Sequence, residues 1–458
     1  MHNPVARLIA VFLSWKIILI LFAAFSPGPG YDTSSLILLA PSKDRNVHYQ
    51  SLTSVDRLLL KLFRWDALYF VKAAERGYVH EQEWAFSWAY SRILSFAVRS
   101  SSSSDHVPLL HYIRAGVIIS VLCHLASVII LYRLLNLAVN HRKSKDIAFI
   151  ASTLHVMSPA GLFLCSSYTE APFSFFNFLG MLFYAQARRI EKHDNSWGLL
   201  QDTLILASGA SFGAATLMRS NGLLSGLIFL FDAFCLLSHV LTFQLQAREA
   251  RRLTITCIAG SLLALGFITP QVLAYKEYCV TSGLDPGARP WCSDRLPSIY
   301  SFVQTHYWNV GFLRYWTLSN LPLFCLAAPM LWLLFESSVT TLRDIERSTI
   351  RKTRPGSSDV SVKPKDTDAP FCIFPQLALP QLVLAVMAFT SFHVQIVNRL
   401  SSGYPIWYLM VAKWISDSEA EDISIGQIAK TAPRWTSRGL VMYSIVQGML
   451  FASFLPPA

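Results

Sequence analysis

Between Phe63 and Tyr90 the chain reads FRWDALYFVKAAERGYVHEQEWAFSWAY, which places Asp66, Glu75, Glu81 and Glu83 among aromatic and large apolar side chains. Apolar stretches of membrane length lie on either side. A mere connector would be small, polar and short, whereas acids crowded with Trp and Tyr beside a bilayer make a catalytic or binding ledge. Asp66 is the sharpest candidate. Helical spacing over Leu58–Ala74 puts Leu62, Tyr69 and Phe70 on its face, so the carboxylate is flanked by apolar bulk and is costly there unless partnered or used. Asp and Glu serve as general base when a hydroxyl attacks a sugar carbon. An ion pair between Asp66 and Arg64 or another local cation is the plainer reading, and position alone does not choose between the two.

Other polar groups stand where packing does not call for them. Glu81 and Glu83 follow the Gly77 break and lead into Trp84-Ala85-Phe86; they are placed to bind sugar hydroxyls, or are simply solvated. Ser158-Pro159-Ala160 and Tyr168-Thr169-Glu170-Ala171-Pro172 bracket a short turn, with Glu170 either a helix N-terminal charge or the lining of a polar pocket. Arg219-Ser220-Asn221-Gly222 lies between two apolar helices with hardly any loop. Arg219 there suits a lipid phosphate, bound bidentately, or snorkels to headgroups. Gln304, Tyr307, Trp308 and Tyr315 form an aromatic and amide patch suited to sugars, although an aromatic belt explains part of it. His393, Gln395, Asn398 and Arg399 close a span with more polarity than packing needs, and His393 or Arg399 is a cationic partner for phosphate.

The elements that must position these residues are membrane helices. The chain has 458 residues, 53% hydrophobic and 15% charged, with a mean hydropathy of +0.40. A soluble domain of this size cannot hide so much apolar surface. Apolar runs at 5–25, 109–137, 146–165, 170–188, 200–218, 222–245, 253–275, 318–338, 371–392, 401–416 and 439–455 predict an all-α polytopic membrane protein with about eleven spans, since about 20 apolar residues cross a bilayer. The first run is read as a retained span rather than a cleaved signal, because Ser26-Pro27-Gly28-Pro29 offers no small-x-small cleavage site. Leu58–Ala74 is too polar to span and reads as one amphipathic helix lying in the interface.

Charge fixes the expected sidedness. With the N-terminus in the cytosol, alternate connections carry Arg142-Lys143-Lys145, Arg188-Arg189-Lys192, Arg248-Arg251-Arg252, then Arg343 to Arg354, and finally Lys430-Arg434-Arg438. That is the positive-inside pattern. The connections 26–108, 158–170, 219–222, 276–317 and 393–400, which hold all the candidates above, then share the opposite, lumenal face. Segment 341–369 reads as a solvated cytosolic linker and Ser100–Ser104 as a spacer. The whole chain is one integral-membrane domain. The net charge of +11, from 39 basic and 28 acidic residues, belongs to these loops and to anionic lipid; no nucleic-acid motif accompanies it. Of eight cysteines, Cys279 and Cys292 share one polar loop and make a disulfide candidate if that loop is extracytoplasmic. Nucleotide-sugar, P-loop, HExxH and zinc patterns are absent. A sugar transferase of this kind needs a donor that the membrane supplies.

RWDALYF, EQEWAFS, SPA, SSYTEAPFSF, RSNG, the Trp291-Cys292 loop with YWNVGFLRY, HVQIVNR and YPIWY occur in that order over residues 60–410. Together they resemble the GPI mannosyltransferase II family, also called PIG-V. The resemblance implies a GT-C transferase of the endoplasmic reticulum membrane that uses dolichyl-phosphate-mannose and works in the lumen. It implies addition of the second, α-1,6-linked mannose to the glycosylphosphatidylinositol precursor, a mannosyl-glucosaminyl-(acyl)phosphatidylinositol. It also makes Trp65 and Asp66 the required pair, with Asp66 as general base in an inverting displacement. Glu81, Glu170, Arg219, Asn221, Gln304, Trp308, His393, Gln395 and Arg399 become the substrate-binding set. No metal or cofactor is called for, and a small accessory membrane subunit is an implied partner. Another dolichyl-phosphate-mannose enzyme with a different acceptor, or a lipid-linked-sugar transporter, are the competing readings. The transporter would put polar motifs on both faces and ionisable groups in mid-span.

Overall fold

A computed structural model describes residues 3–28, 30–39, 52–102, 107–139, 144–194, 198–242, 244, 246–281, 289–353, 373–420 and 427–453. Its helices, in chain order, are α1 Pro4–Phe25, α2 Ser34–Leu39, α3 Ser54–Lys61, α4 Asp66–Arg76, α5 Trp88–Arg99, α6 Leu109–Ala138, α7 Ser144–Val156, α8 Glu170–Asp194 and α9 Leu199–Met218. They continue as α10 Gly226–Leu241, α11 Ala247–Tyr275, α12 Ile299–His306, α13 Leu321–Thr353, α14 Phe374–Thr390, α15 Val397–Leu400, α16 Ile406–Ala420 and α17 Gln427–Ala452. No strand occurs among the described residues. The expected linker is helical through Thr353, as the end of α13, and from residue 354 to 369 lies outside the described residues.

The apolar runs of the sequence fall largely on helix. Among the described residues, five segments are long and apolar enough to cross a membrane: Pro4–Phe25, Leu109–Ala138, Ser220–Leu241, Ala247–Val280 and Leu318–Arg343, with Phe374–Thr390 a shorter apolar helix. In those five the protein buries only 22–39% of the most apolar stretch. Ile17, Leu122, Phe234 and Leu265 stay exposed, and only lipid can cover such continuous apolar faces. The chain is a multi-pass membrane protein. The remaining runs lie on helices whose apolar character is diluted by polar groups buried inside the bundle, such as Ser174 and Asn177 on α8 and Ser208 on α9.

Two expectations about local structure need correction. The run 146–165 is not one helix: α7 ends at Val156, and 158–169 continues as irregular and 3-10 backbone, wholly buried rather than a turn at the surface. Pro159 cannot continue the α7 hydrogen-bond ladder. Hydroxyls stand in for the missing helix: Ser166 Oγ donates to Leu162 O (2.8 Å) and Ser167 Oγ to Ile113 O (3.0 Å). Likewise Leu58–Ala74 is two helices, α3 and α4, broken at Leu62–Trp65. Trp65 adopts φ 52°, a left-handed conformation that a bulky side chain occupies only at a cost of about 1–3 kcal/mol. Leu62 therefore leaves the Asp66 face, while Tyr69 and Phe70 keep it.

One extensive helix interface near the cleft is set by small residues. On α9 and α11 a methyl added at Gly209 would lie 2.5 Å from Ala259 O, at Gly213 2.7 Å from Leu262 O, and at Gly266 2.3 Å from Gly213 O. Gly209-x-x-x-Gly213 thus lets two backbones touch where lipid offers no hydrophobic drive for helix pairing. Gly266→Val is expected to force the helices apart at a cost of about 1–3 kcal/mol or more. A lower unfolding midpoint in detergent, by several degrees, is the readout; an unchanged midpoint would show that the contact does not set the spacing.

Candidate active site

Asp66 is the first residue of α4, where the positive end of the helix favours a carboxylate. The strained turn before it is held by one side chain. Tyr168 Oη accepts from the Asp66 backbone N–H (3.1 Å) and donates to Arg64 O (2.9 Å), bridging both sides of Trp65. Tyr168 is fully buried in the 158–169 segment. The sequence placed it within YTEAP but gave no reason to single it out.

Four charges converge here. Arg399 Nη2 lies 2.7 Å from Asp66 Oδ2, and its Nε 3.5 Å from Glu170 Oε1. Arg219 Nη1 meets the same Glu170 oxygen at 2.7 Å and Thr169 Oγ1 at 3.2 Å. The Arg399 guanidinium also lies over the rings of Phe163 (5.1 Å) and Tyr168 (5.8 Å). The partner of Asp66 is therefore Arg399, distant in sequence, and not Arg64, whose Nη1 donates to Ser35 Oγ (2.7 Å). Glu170 is buried, its side chain 1% exposed, and acts as the shared counter-ion of the two arginines rather than as a pocket wall. Asp66 is 27% exposed and opens to solvent.

These groups border a cavity of about 540 Å³. Asp66, Tyr69, Arg219, Asn221, His393 and Arg399 line its polar side, and Phe86, Trp88, Trp308 and Phe392 its aromatic side. Among the lining residues Asp66 is the sole carboxylate. Burial, with the Asp66 and Glu83 charges adding to it, raises the Tyr69 hydroxyl above the ordinary phenol value. Burial raises Tyr300 likewise, against its bond to Ser220. Both tyrosines are therefore neutral near pH 7.

The other sequence candidates divide. Gln304 and Trp308 line the cavity; Trp308 also supplies the carbonyl that meets His393 Nε2 at 3.0 Å, and the His393 ring stacks on Tyr315 at 4.7 Å. Asn221 lines it too, with Nδ2 donating to Tyr404 Oη (3.1 Å). Three lie elsewhere. Trp65 is packed against the core behind Asp66. Gln395 is taken by the Tyr315 hydroxyl (3.0 Å) outside the cavity lining. Glu81 is bound by Arg289 Nε (2.7 Å) and Trp291 Nε1 (3.2 Å), a structural tie between the 26–108 and 276–317 connections. Glu83 caps the chain after α4, accepting from Val79 N (2.8 Å) and pairing with Arg76 (2.5 Å). A disulfide joins Cys279 and Cys292, with Cα atoms 5.8 Å apart, next to Trp291. Among the described residues no three His, Cys, Asp or Glu side chains are grouped to hold an ion. Sequence reasoning also missed Tyr300 and Ser220, which meet at 2.7 Å on the cavity wall.

The far end of the bundle is different. On α8, about 36 Å long at 1.5 Å per residue, Glu170 stands at one end and Arg188 and Glu191 at the other. There Arg188 and Arg252 pair with Glu191 (2.7 and 3.1 Å), and Arg251 Nε with Asp202 (2.9 Å). The basic clusters and the cavity thus occupy opposite ends of the same helix.

Residues 5–458 match the family described as mannosyltransferase (PIG-V). The chain belongs to the PIG-V mannosyltransferase family. Membership makes it a glycosyltransferase. Among its relatives is the GPI mannosyltransferase 2 of Aspergillus oryzae, 40% identical over 466 residues that span 100% of this chain and 96% of that protein. The GPI mannosyltransferase 2 of Yarrowia lipolytica is 30% identical, with 98% of each chain covered. In overall shape this chain is similar to the archaeal oligosaccharyltransferase AglB from Archaeoglobus fulgidus, solved with an inhibitory peptide and a dolichol-phosphate. That likeness has a TM-score of 0.47 at 11% identity, covering 97% of this chain and 56% of that one.

Proposed function

We propose that this protein is a GT-C transferase that moves mannose from dolichyl-phosphate-mannose to the 6-hydroxyl of the first mannose on a glycosylphosphatidylinositol precursor, forming an α-1,6 linkage in the lumen of the endoplasmic reticulum. The observation that carries this reading is a lone cavity carboxylate, Asp66, bound to Arg399 at 2.7 Å. The names of the relatives support the acceptor, and the charge asymmetry along α8 supports the lumenal side.

In the free enzyme the two carboxylates and two guanidiniums balance. A donor phosphate brings another negative charge and competes for Arg399 and Arg219. As Arg399 turns to the phosphate, Asp66 is released to accept the proton of the attacking hydroxyl. The acceptor oxygen then bonds to C1 of mannose as the C1–O–phosphate bond breaks, the electron pair leaving on dolichyl phosphate. Arg219 and the reoriented Arg399 stabilise that charge. One displacement inverts the β-linked donor to an α-product. Phe86, Trp88 and Trp308 offer ring faces to the sugars and exclude water, which would otherwise hydrolyse the donor.

Microsomes containing the enzyme, given labelled dolichyl-phosphate-mannose and the one-mannose precursor, are expected to yield a two-mannose glycolipid whose new linkage an α-1,6-mannosidase removes. Label appearing only in another glycan class would sink the acceptor assignment. Family membership favours this reading over a transporter.

A further inference from the structure

Beyond the reaction cavity the structure holds a second, smaller one of about 210 Å³, bordered by Arg76, Gly77, Arg92, Ser95 and Arg99. It lies between the end of α4 and the outer face of α5. Arg76 is offset by Glu83 at 2.5 Å. Among the described residues neither Arg92 nor Arg99 has a carboxylate within ion-pair distance; Arg92 lies over the Trp88 ring at 5.8 Å, and Arg99 Nη2 donates to Glu75 O at 3.2 Å. That last bond caps a terminal carbonyl of α4, so the negative end of the helix does not face the cavity bare. Arg92 and Arg99 are exposed to solvent; in one concave site whose lining holds no carboxylate, their guanidinium forks fit phosphate oxygens.

Where this site lies selects the anion. Trp88, Arg92, Ser95 and Arg99 follow one another at four-, three- and four-residue steps, a single stripe along α5. Trp88 borders the reaction cavity, and the other three border the arginine site. Measured along α4, Asp66 and Arg76 are about 15 Å apart at 1.5 Å per residue. The donor's phosphate must stand at the reacting carbon, beside Asp66, and so cannot fill this site. An acceptor can, because its attacking hydroxyl is separated from its own phosphate by a chain of sugar and inositol rings. Phe96 (76% exposed) and Ile93 (41%) project from the neighbouring face of α5, where they suit insertion into the interface beside a lipid headgroup.

Resting on the reaction proposed above, we infer that Arg92 and Arg99, with Arg76, bind the phosphodiester of the inositol-lipid acceptor and so set the distance from lipid anchor to attacking hydroxyl. The stripe on α5 acts as a ruler: Trp88 meets the sugar end and Arg99 the phosphate end.

The full-length protein in a phosphate-free detergent is tested with glycerophospho-myo-inositol and with myo-inositol. Wild type is expected to bind the first and not the second. R92Q/R99Q is expected to weaken that binding at least tenfold while eluting from gel filtration as wild type does, with R92K/R99K falling between. In turnover, the double variant should raise KM for the phosphodiester-bearing acceptor about tenfold, with kcat and donor KM within twofold. It should leave unchanged the KM of a synthetic acceptor whose inositol lacks phosphate. No binding by wild type, or equal binding by the double variant, overturns the assignment. So does displacement of the probe by phosphatidylserine vesicles as readily as by phosphatidylinositol vesicles, which would mark a general lipid contact. A wild type that binds the probe yet never elongates the mannosylated acceptor would refute the proposed reaction and leave this site standing.

Discussion

Asp66→Asn is expected to lower kcat by about 10²–10⁴, the range a positioned general base supplies, with the protein still inserted and folded. Asn keeps the shape and the bond that Arg399 makes to a side-chain oxygen, so the 2.7 Å contact and the Tyr168 clamp on the backbone survive. What is lost is the capacity to take a proton. Donor KM should not rise and should fall if anything, because Asp66 and the donor phosphate compete for Arg399 and removing the carboxylate's charge weakens the competitor. Measuring kcat, donor KM and the unfolding midpoint on purified enzyme separates the possibilities. Retention of more than a tenth of wild-type kcat would remove Asp66 from the base role. A collapse of the midpoint would show it to be a structural charge.

Arg399→Gln should have the next largest effect and a different signature. Arg399 touches Asp66 and Glu170 and lies across two aromatic rings. Its removal withdraws a cation from the leaving phosphate, worth about 10²–10³ in kcat by comparison with loss of one preorganised donor. It also leaves Glu170, buried at 1% exposure, with Arg219 as its one arginine partner. Destabilisation should stay below the roughly 3–5 kcal/mol that follows when a buried pair is broken outright, because Arg219 remains 2.7 Å away. Arg399→Lys should restore stability more than rate, since ammonium replaces the charge but not the fork. The double variant D66N/R399Q should be far less impaired than the product of the two single losses, as befits residues acting as one unit. Full multiplicativity of the two effects would show that they work independently.

Much of this arrangement could be read before any coordinates. RWD, YTEAP, RSNG and HVQIVNR each contribute a residue to one cluster, and the positive-inside pattern already placed their connections on a common face. Apolar period and length located most of the helices, because a backbone in hydrocarbon must satisfy its own hydrogen bonds; they did not show the breaks after Val156 and at Leu62–Trp65. Glu81 and Gln395 misled for the opposite reason. A polar side chain on a one-sided loop has the same local signature whether it meets a sugar or is consumed by Arg289 or Tyr315.

The sequence by itself determined the class of molecule, since that depends on residue type and on periodicity along the chain; its charge pattern set the side expected for the chemistry, and Asp66 was chosen by the family motif RWDALYF rather than by position. Only the tertiary structure decided how Asp66 is held. The break at Trp65, the Tyr168 hydroxyl across it and the chain of contacts Asp66–Arg399–Glu170–Arg219 join residues as much as 333 positions apart. Those pairings are set by which helix ends meet at the head of the bundle, and local pattern carries no information about contacts that exist only after the helices have packed.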